Sequence, residues 1–304
     1  MADDSPYLVI WNPTARQAGV AAELRSRLEG DRRFELRETV APDDARRWAR
    51  EAIDDDRIDV IVAAGGDGTI HAVVNGLADA SGPIIPKSLA VLPLGTANDL
   101  CRSLLIPLDP MLAFGLIEAP RRRRIDLARI EGPGVERVFV NAASGGNSTR
   151  VTELLTAEIK QRWGPWAYLR GVVDVVSDLT DYDLRLQHDD QPEEQVDAWN
   201  FVVANGPFSA GGIEVAPGAD MADGLLDLIV IRGGTPLDAA DLAGNLLLGN
   251  YLEHEQVVHR RVARARLETH PASATSVDGE PIANQPLTFS VLPAALEVLV
   301  PEEC

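Results

Sequence analysis

Asp59-Val60-Ile61-Val62-Ala63-Ala64-Gly65-Gly66-Asp67-Gly68-Thr69 is the stretch on which the fold turns. From Val60 to Ala64 it is wholly apolar, as a strand must be when helices cover both of its faces, so it predicts a doubly wound parallel sheet. Downstream, Ile70, Val73, Val74 and Leu77 fall at i, i+3, i+4 and i+7 and predict a helix. Strand, glycine turn and helix N-terminus thus follow one another directly. Glycine lets backbone N–H groups approach a ligand, and the first helical turn presents unpaired donors at the positive end of its dipole, so an anionic phosphate is the expected guest. The competing reading is an ordinary βα turn with a helix cap. One glycine would suffice for that, and three surround this aspartate.

Outward from this stretch, β-like and amphipathic runs alternate over the first ~124 residues. Strands are predicted at Tyr7 to Trp11, Phe34 to Thr39 and Leu89 to Pro93. Helices are predicted at Ala18 to Leu28, Pro42 to Ile53, Asp99 to Leu105 (stopped by Pro107) and Asp109 to Glu118. Arg121 to Arg124 marks a boundary and reads as a solvated interdomain turn rather than a lipid-phosphate site. From Ile125 onward, short β-branched runs separated by Gly, Pro and Asp predict a mainly antiparallel β half, with runs at Val138 to Asn141, Val196 to Ala204, Leu225 to Ile231 and Ala263 to Glu268. Two helical insertions interrupt it, at about Thr149 to Ser177 and Leu237 to Leu248. The expected fold is therefore α/β plus mainly-β: a doubly wound α/β domain over 1–124, a second antiparallel β-rich domain over 125–304, and an interdomain active-site cleft. Whether the last few residues return to the first domain stays open.

Composition narrows the function. The chain has 304 residues, 45% hydrophobic and 25% charged, enough for one large or two ordinary domains. Lys+Arg 28 against Asp+Glu 47 gives a net charge of -19, which argues against nucleic acid as a partner. No apolar run reaches transmembrane length, and Met1 to Pro6 lacks signal-peptide character, so a cytoplasmic protein without a transmembrane segment is expected. Two cysteines, Cys101 and Cys304, give no disulfide framework, and the five histidines show no HExxH spacing.

Two further segments carry chemistry. Leu94-Gly95-Thr96-Ala97-Asn98-Asp99 follows the next β-like run and leads into a helix, so both glycine loops fall in the crevice where open α/β sheets bind ligands. A carboxylate beside a polyphosphate is repulsive unless a cation intervenes. Asp67 and Asp99 are therefore read as Mg²⁺-side ligands acting through water, with an N-terminal helix cap as the alternative for Asp99. Ser276-Val277-Asp278-Gly279-Glu280-Pro281 reads by itself as a hairpin turn. If the fold returns it to the cleft, one of its two carboxylates is placed to take a proton from an attacking hydroxyl.

These three segments, in this order and at these separations, resemble the diacylglycerol kinase catalytic-domain family, especially the bacterial diacylglycerol and lipid kinases. Asn12-Pro13, Ala204-Asn205-Gly206, Ala216-Pro217 and Asp223-Gly224-Leu225-Leu226-Asp227 support the likeness, which spans essentially the whole chain. The resemblance implies a two-domain enzyme that moves the γ-phosphate of ATP to a lipid hydroxyl with Mg²⁺. Residues 1–124 would be the nucleotide-binding domain and 125–304 the acceptor-binding domain. By position it implies that Asn12, Pro13, Thr14, Ala15, Arg16, Thr39, Gly65, Gly66, Asp67, Gly68, Thr69, Ile70, His71, Ala72, Gly95, Thr96 and Asn98 line the nucleotide. Catalysis would fall to Asp67 and Asp99 with Glu280 or Asp278 as general base, Glu280 being preferred. A structural Mg²⁺ would sit on Asp223 and the backbone of Asp220 and Leu225.

A lipid acceptor requires contact with a membrane surface, and general adsorption to anionic lipid is unfavourable for so acidic a chain. Trp163, Trp166, Tyr168 and Leu169 beside Lys160, Arg162 and Arg170 form an interfacial candidate, with packing of a helical hairpin as the alternative. A peripheral location at the inner membrane surface and a homodimer both stay open. The rival functions are a kinase for a soluble acceptor, as NAD kinases share the GGDGT loop, and a non-catalytic nucleotide- or lipid-binding regulator.

Overall fold

The computed structural model describes residues 7–14, 18–81, 84–119, 121–147, 179–235, 237–238, 241–242, 244–245, 249–283 and 285–302. The expected helical insertion at 149–177, with its Trp163 and Trp166 surface, lies outside the described residues, as do Ala15 and Arg16. In the second insertion the described residues 237–238, 241–242 and 244–245 are helical. No described helix is long and apolar enough to cross a membrane.

The first half alternates β1 (Tyr7–Trp11), α1 (Ala18–Gly30), β2 (Phe34–Glu38), α2 (Asp44–Ala52), β3 (Val60–Gly65), α3 (Asp67–Ser81), β4 (Ser88–Pro93), α4 (Asp99–Ser103) and α5 (Pro110–Glu118). The four strands pair in parallel in the order β2-β1-β3-β4. Every residue of β3 and β4 is buried, which is why these two read as apolar runs without alternation. Each Val or Ile so placed contributes about 1.5–3 kcal/mol of burial. α2 packs on α3 and α1 on α5, the two-sided cover that right-handed crossovers produce. The strand order reverses between β1 and β3, and ligands of open α/β sheets bind at such a switch point. Cys101 is buried in α4, and that burial pushes its thiol well up, so it is no nucleophile.

The second half is antiparallel: β5 (Arg121–Gly132), β6 (Val135–Phe139), β7 (Ala142–Gly146), β8 (Tyr182–His188), β9 (Glu194–Ala204), a small pair β10 (Phe208–Ser209) and β11 (Ile213–Glu214), then β12 (Leu226–Arg232), β13 (Val257–Val262), β14 (Arg264–His270), β15 (Thr275–Val277), β16 (Glu280–Ile282) and β17 (Leu287–Val300). Its core gathers Phe139, Phe201 and Phe289, with the Phe139 and Phe289 rings edge to face at 6.3 Å. β17 joins the halves. Its first part pairs with β14, its last part runs parallel to β4 (Glu297 opposite Ser88), and β5 follows it antiparallel along both parts. The change of partner occurs at a bulge between Leu292 and Leu296, where Ala294 has φ 50°. Buried Asp126 pins that bulge, accepting the Ala294 N–H at 2.7 Å with one oxygen and the Gly224 N–H at 2.7 Å with the other.

Two expectations are corrected. Arg121 to Arg124 is no turn but the first part of β5, opposite Val300 to Glu297. The arginines stay at the surface because acids meet them: Arg122 pairs with Asp59 at 2.6 Å and Glu297 at 3.1 Å, and Arg123 with Asp220 at 3.0 Å. α4 also ends at Ser103, before Pro107 is reached, because Leu105 turns left-handed (φ 54°) and the Ile106 N–H closes on the Cys101 carbonyl at 2.8 Å.

Candidate active site

The Gly65–Thr69 and Gly95–Asp99 loops leave neighbouring parallel strands and meet glycine to glycine. A Cβ on Gly95 would lie 2.4 Å from Gly66 Cα, and one on Gly65 would lie 2.3 Å from Thr69 Oγ1. None of Gly65, Gly66, Gly68 and Gly95 has a positive φ. Close approach, not left-handed backbone, is therefore what requires glycine here. Asp67 opens α3 and bridges the loops: its carboxylate accepts the Asp99 N–H at 2.7 Å and the Asn98 N–H at 2.9 Å. Asn98 occupies the N-cap position of α4 with φ 53° and no side-chain cap bond. The cap alternative for Asp99 is thereby replaced. Its carboxylate instead accepts the Gly212 N–H at 2.6 Å and the Gly211 N–H at 3.2 Å, from the turn between β10 and β11.

Burial pushes both carboxyls above their usual range. At Asp67 the backbone N–H bonds oppose the push and the charge of Asp278 adds to it; at Asp99 the charge of Asp67 adds to it. Two desolvated, mutually repelling carboxylates are donors suited to a hard divalent cation, so Asp67 and Asp99 fit a Mg²⁺ role.

At the switch point, Asn12 extends β1. Its N–H donates to the Ala64 carbonyl at 2.9 Å, its side-chain amide donates to Thr69 Oγ1 at 3.0 Å, and its Oδ1 accepts from Thr14 Oγ1 at 2.8 Å. Thr39 donates its N–H to the Trp11 carbonyl at 2.8 Å. Asn12, Thr14, Thr39, Thr69 and the glycine loops thus share the carboxyl edge of the sheet, with Pro13, Gly68 and Thr96 exposed there. Ile70 differs: it lies in the core under α3. Ala72 is half-buried, and His71 faces the late hairpin.

That hairpin is a left-handed pair, Asp278 φ 46° and Gly279 φ 90°, so the turn reading describes its backbone. The fold also carries it back to α3. The Asp278 side chain is 2% exposed and fully engaged, accepting N–H groups from Val140 at 2.8 Å, Asn141 at 3.0 Å and Ala142 at 3.2 Å, with His71 Nδ1 at 3.3 Å. Glu280 is 54% exposed, paired with Arg137 at 2.7 Å and 3.7 Å from His71 Nε2. Geometry separates the two acids: Asp278 holds the turn in place, and Glu280 is the one open to an incoming group.

Asp220 and Asp223 are each met by a guanidinium, Arg123 and Arg261 respectively, and the Leu225 N–H donates to Asp223 Oδ1 at 2.9 Å. Of the groups that the resemblance gives to a structural Mg²⁺, the Asp223 carboxylate is thus paired with Arg261. Among the described residues no group of three or more His, Cys, Asp or Glu side chains is arranged to hold a metal.

Sequence reasoning missed Arg137, Asn75 and the Gly211-Gly212 turn. Asn75, on α3, donates to the Val138 carbonyl at 2.9 Å and accepts the Val138 N–H at 3.1 Å, acting as a strand partner for β6. The adjacent glycines Gly211 and Gly212 were the only local signal for the third. Asn205, in the Ala204-Asn205-Gly206 motif, ties the carbonyls of Asp126 and Val140 at 3.0 and 2.8 Å.

Two glycine loops at the carboxyl edge of an α/β sheet, met at α3 by an acidic hairpin from the β-rich half, define the candidate site. The chain matches the diacylglycerol kinase catalytic domain over residues 6–130 and the YegS C-terminal NAD kinase beta sandwich-like domain over 141–300. It is similar to the Pseudomonas aeruginosa protein named "Probable lipid kinase YegS-like", 34% identical over 99% of this chain and 96% of that one. It is also similar to a "Diacylglycerol kinase" of Staphylococcus haemolyticus, 30% identical over 86% of this chain and 76% of that one. Two solved structures share the fold. A diacylglycerol kinase from Bacillus anthracis matches with TM-score 0.73 at 21% identity, covering 98% of each chain. An NAD kinase from Archaeoglobus fulgidus in complex with ATP matches with TM-score 0.52 at 17% identity, covering 98% of this chain and 94% of that one. The chain belongs to the diacylglycerol kinase catalytic-domain family and is a kinase of that family.

Proposed function

We propose that this kinase transfers the γ-phosphate of ATP to a hydroxyl of diacylglycerol or a related lipid, in the cleft between residues 1–124 and 125–304. The observation that carries the reading is that α3 is met from both sides: Asp67 at its start bonds the Gly95–Asp99 loop, and His71 one turn on meets the Asp278–Glu280 hairpin. The N–H groups at the start of α3 and the Gly66–Gly95 junction receive the phosphates, as a protein of net charge -19 must do without broad basic surface. Asp67 and Asp99 would hold a Mg²⁺, which would neutralise charge on the transferring group. Glu280 takes the proton from the acceptor hydroxyl, Arg137 orients its carboxylate, and Asp278 holds the turn that presents it. On this reading the protein works in the cytoplasm and meets its lipid at the inner membrane surface.

A soluble acceptor is the second reading, favoured by the NAD kinase-like sandwich. The names of the relatives at 34% and 30% identity favour lipid. Radiolabelled ATP, Mg²⁺ and separate lipid-extract and NAD pools distinguish them. Label is expected in the lipid fraction; label confined to NAD phosphate would overturn the lipid acceptor, and ATP binding without transfer to either pool would favour a regulator.

A further inference from the structure

His71 is the buried titratable group at the site for which phosphoryl transfer alone has no use. It is 6% exposed and lies between the two acids of the hairpin, Nδ1 3.3 Å from Asp278 Oδ2 and Nε2 3.7 Å from Glu280 Oε2. Asp278 is a carboxylate already receiving three backbone N–H groups, so Nδ1 is the protonated nitrogen and donates to it. Nε2 then carries a lone pair. Its nearest polar neighbour, the Asn75 amide at 3.3 Å, is the weaker partner, because that amide has two hydrogens and closer acceptors in the Val138 carbonyl at 2.9 Å and the His71 carbonyl at 3.0 Å. The lone pair is left facing Glu280.

We propose that His71 is a positioning residue that accepts, through Nε2, the proton Glu280 removes from the acceptor, with Asp278 stabilising the imidazolium. The inference rests on the reading of Glu280 as the base. The acceptor O–H bond breaks, its electron pair forms the new bond to phosphorus, and the proton passes to a Glu280 oxygen and then to Nε2. The bond from phosphorus to the leaving ADP oxygen breaks with its electron pair. The proton returns to solvent after product leaves. Glu280 is thereby restored as a carboxylate beside a cation, so it no longer holds the proton that would reverse the transfer. Among the described residues, the charged groups that touch or electrostatically couple to this pair are Asp278 and Glu280 of the hairpin, Arg137 of β6, Arg46 of α2 and Asp67 at the start of α3.

His71→Asn keeps an N–H for Asp278 and removes Nε2. On lipid phosphorylation it is expected to lower kcat about tenfold or more while leaving KM for ATP in place. It should also change the acidic limb of the kcat–pH profile, because Nε2 is no longer present to be occupied by a proton. A folded His71→Asn enzyme whose limb coincides with that of the wild type overturns the relay, and His71→Gln serves if the first variant does not fold. A second readout needs no acceptor. The His71 ring resonances followed by NMR against pH should trace different curves in the wild type and Glu280→Gln. Superimposed curves overturn the pairing; differing curves in a protein inert on every lipid support the pairing and strike the lipid-kinase reading instead.

Discussion

Asp67 holds two loops together with the same carboxylate proposed to hold a cation, and this makes the proposed site sensitive to pH in a definite direction. Asp67 and Asp99 are raised by burial, so their ionisation costs stability. That cost is absent while both are protonated and appears as pH rises through their raised range. A divalent cation offsets it only when the acids are ionised. The rise in Tm on adding Mg²⁺ with ATP should accordingly be large above that range and shrink as pH falls through it, as read by thermal melts across a pH series. A rise independent of pH would contradict the assignment. At this scale the acids of the site were legible because glycine loops and an Asp-Gly turn announce themselves over five or six residues. Arg137 and Asn75 were not, because the groups that give them meaning lie 143 and 63 residues away in the chain.

Elements were legible where local periodicity decides and illegible where pairing does. α3 and β3 follow from spacing and apolar runs. Four successive arginines do not suggest a strand, and β5 starts there because β17, some 170 residues later, offers a partner. Contact between helices was equally hidden. A Cβ on Gly76 of α3 would lie 2.2 Å from the Arg46 carbonyl of α2 and 3.0 Å from Ala49 Cβ, so these helices cross at the distance that glycine and alanine permit. Gly76→Ala should destabilise by about 1–3 kcal/mol through overpacking. Gly115 of α5 has open space around its Cβ position, and Gly115→Ala should stabilise by about 0.5–1 kcal/mol through helix propensity and chain entropy. Denaturant titration checks both, and equal effects of the two substitutions would refute the crossing as the cause.

Across the whole molecule, β5 and β17 run through both cores, so the strands that carry the glycine loops and the hairpin that meets α3 are parts of one continuous sheet. Composition could say that a chain of net charge -19 must meet phosphate with backbone N–H groups and a cation. It could not place the Asp278 turn 207 residues away against His71. That placement, on which the lipid-kinase account depends, is tested most directly by phosphoryl transfer itself. With radiolabelled ATP, Mg²⁺ and vesicles containing diacylglycerol, the wild type should put label into a lipid phosphate, and folded Asp67→Asn and Glu280→Gln should each lose it by about a hundredfold or more. Full labelling by either folded variant, or no lipid label from the wild type, would contradict the account.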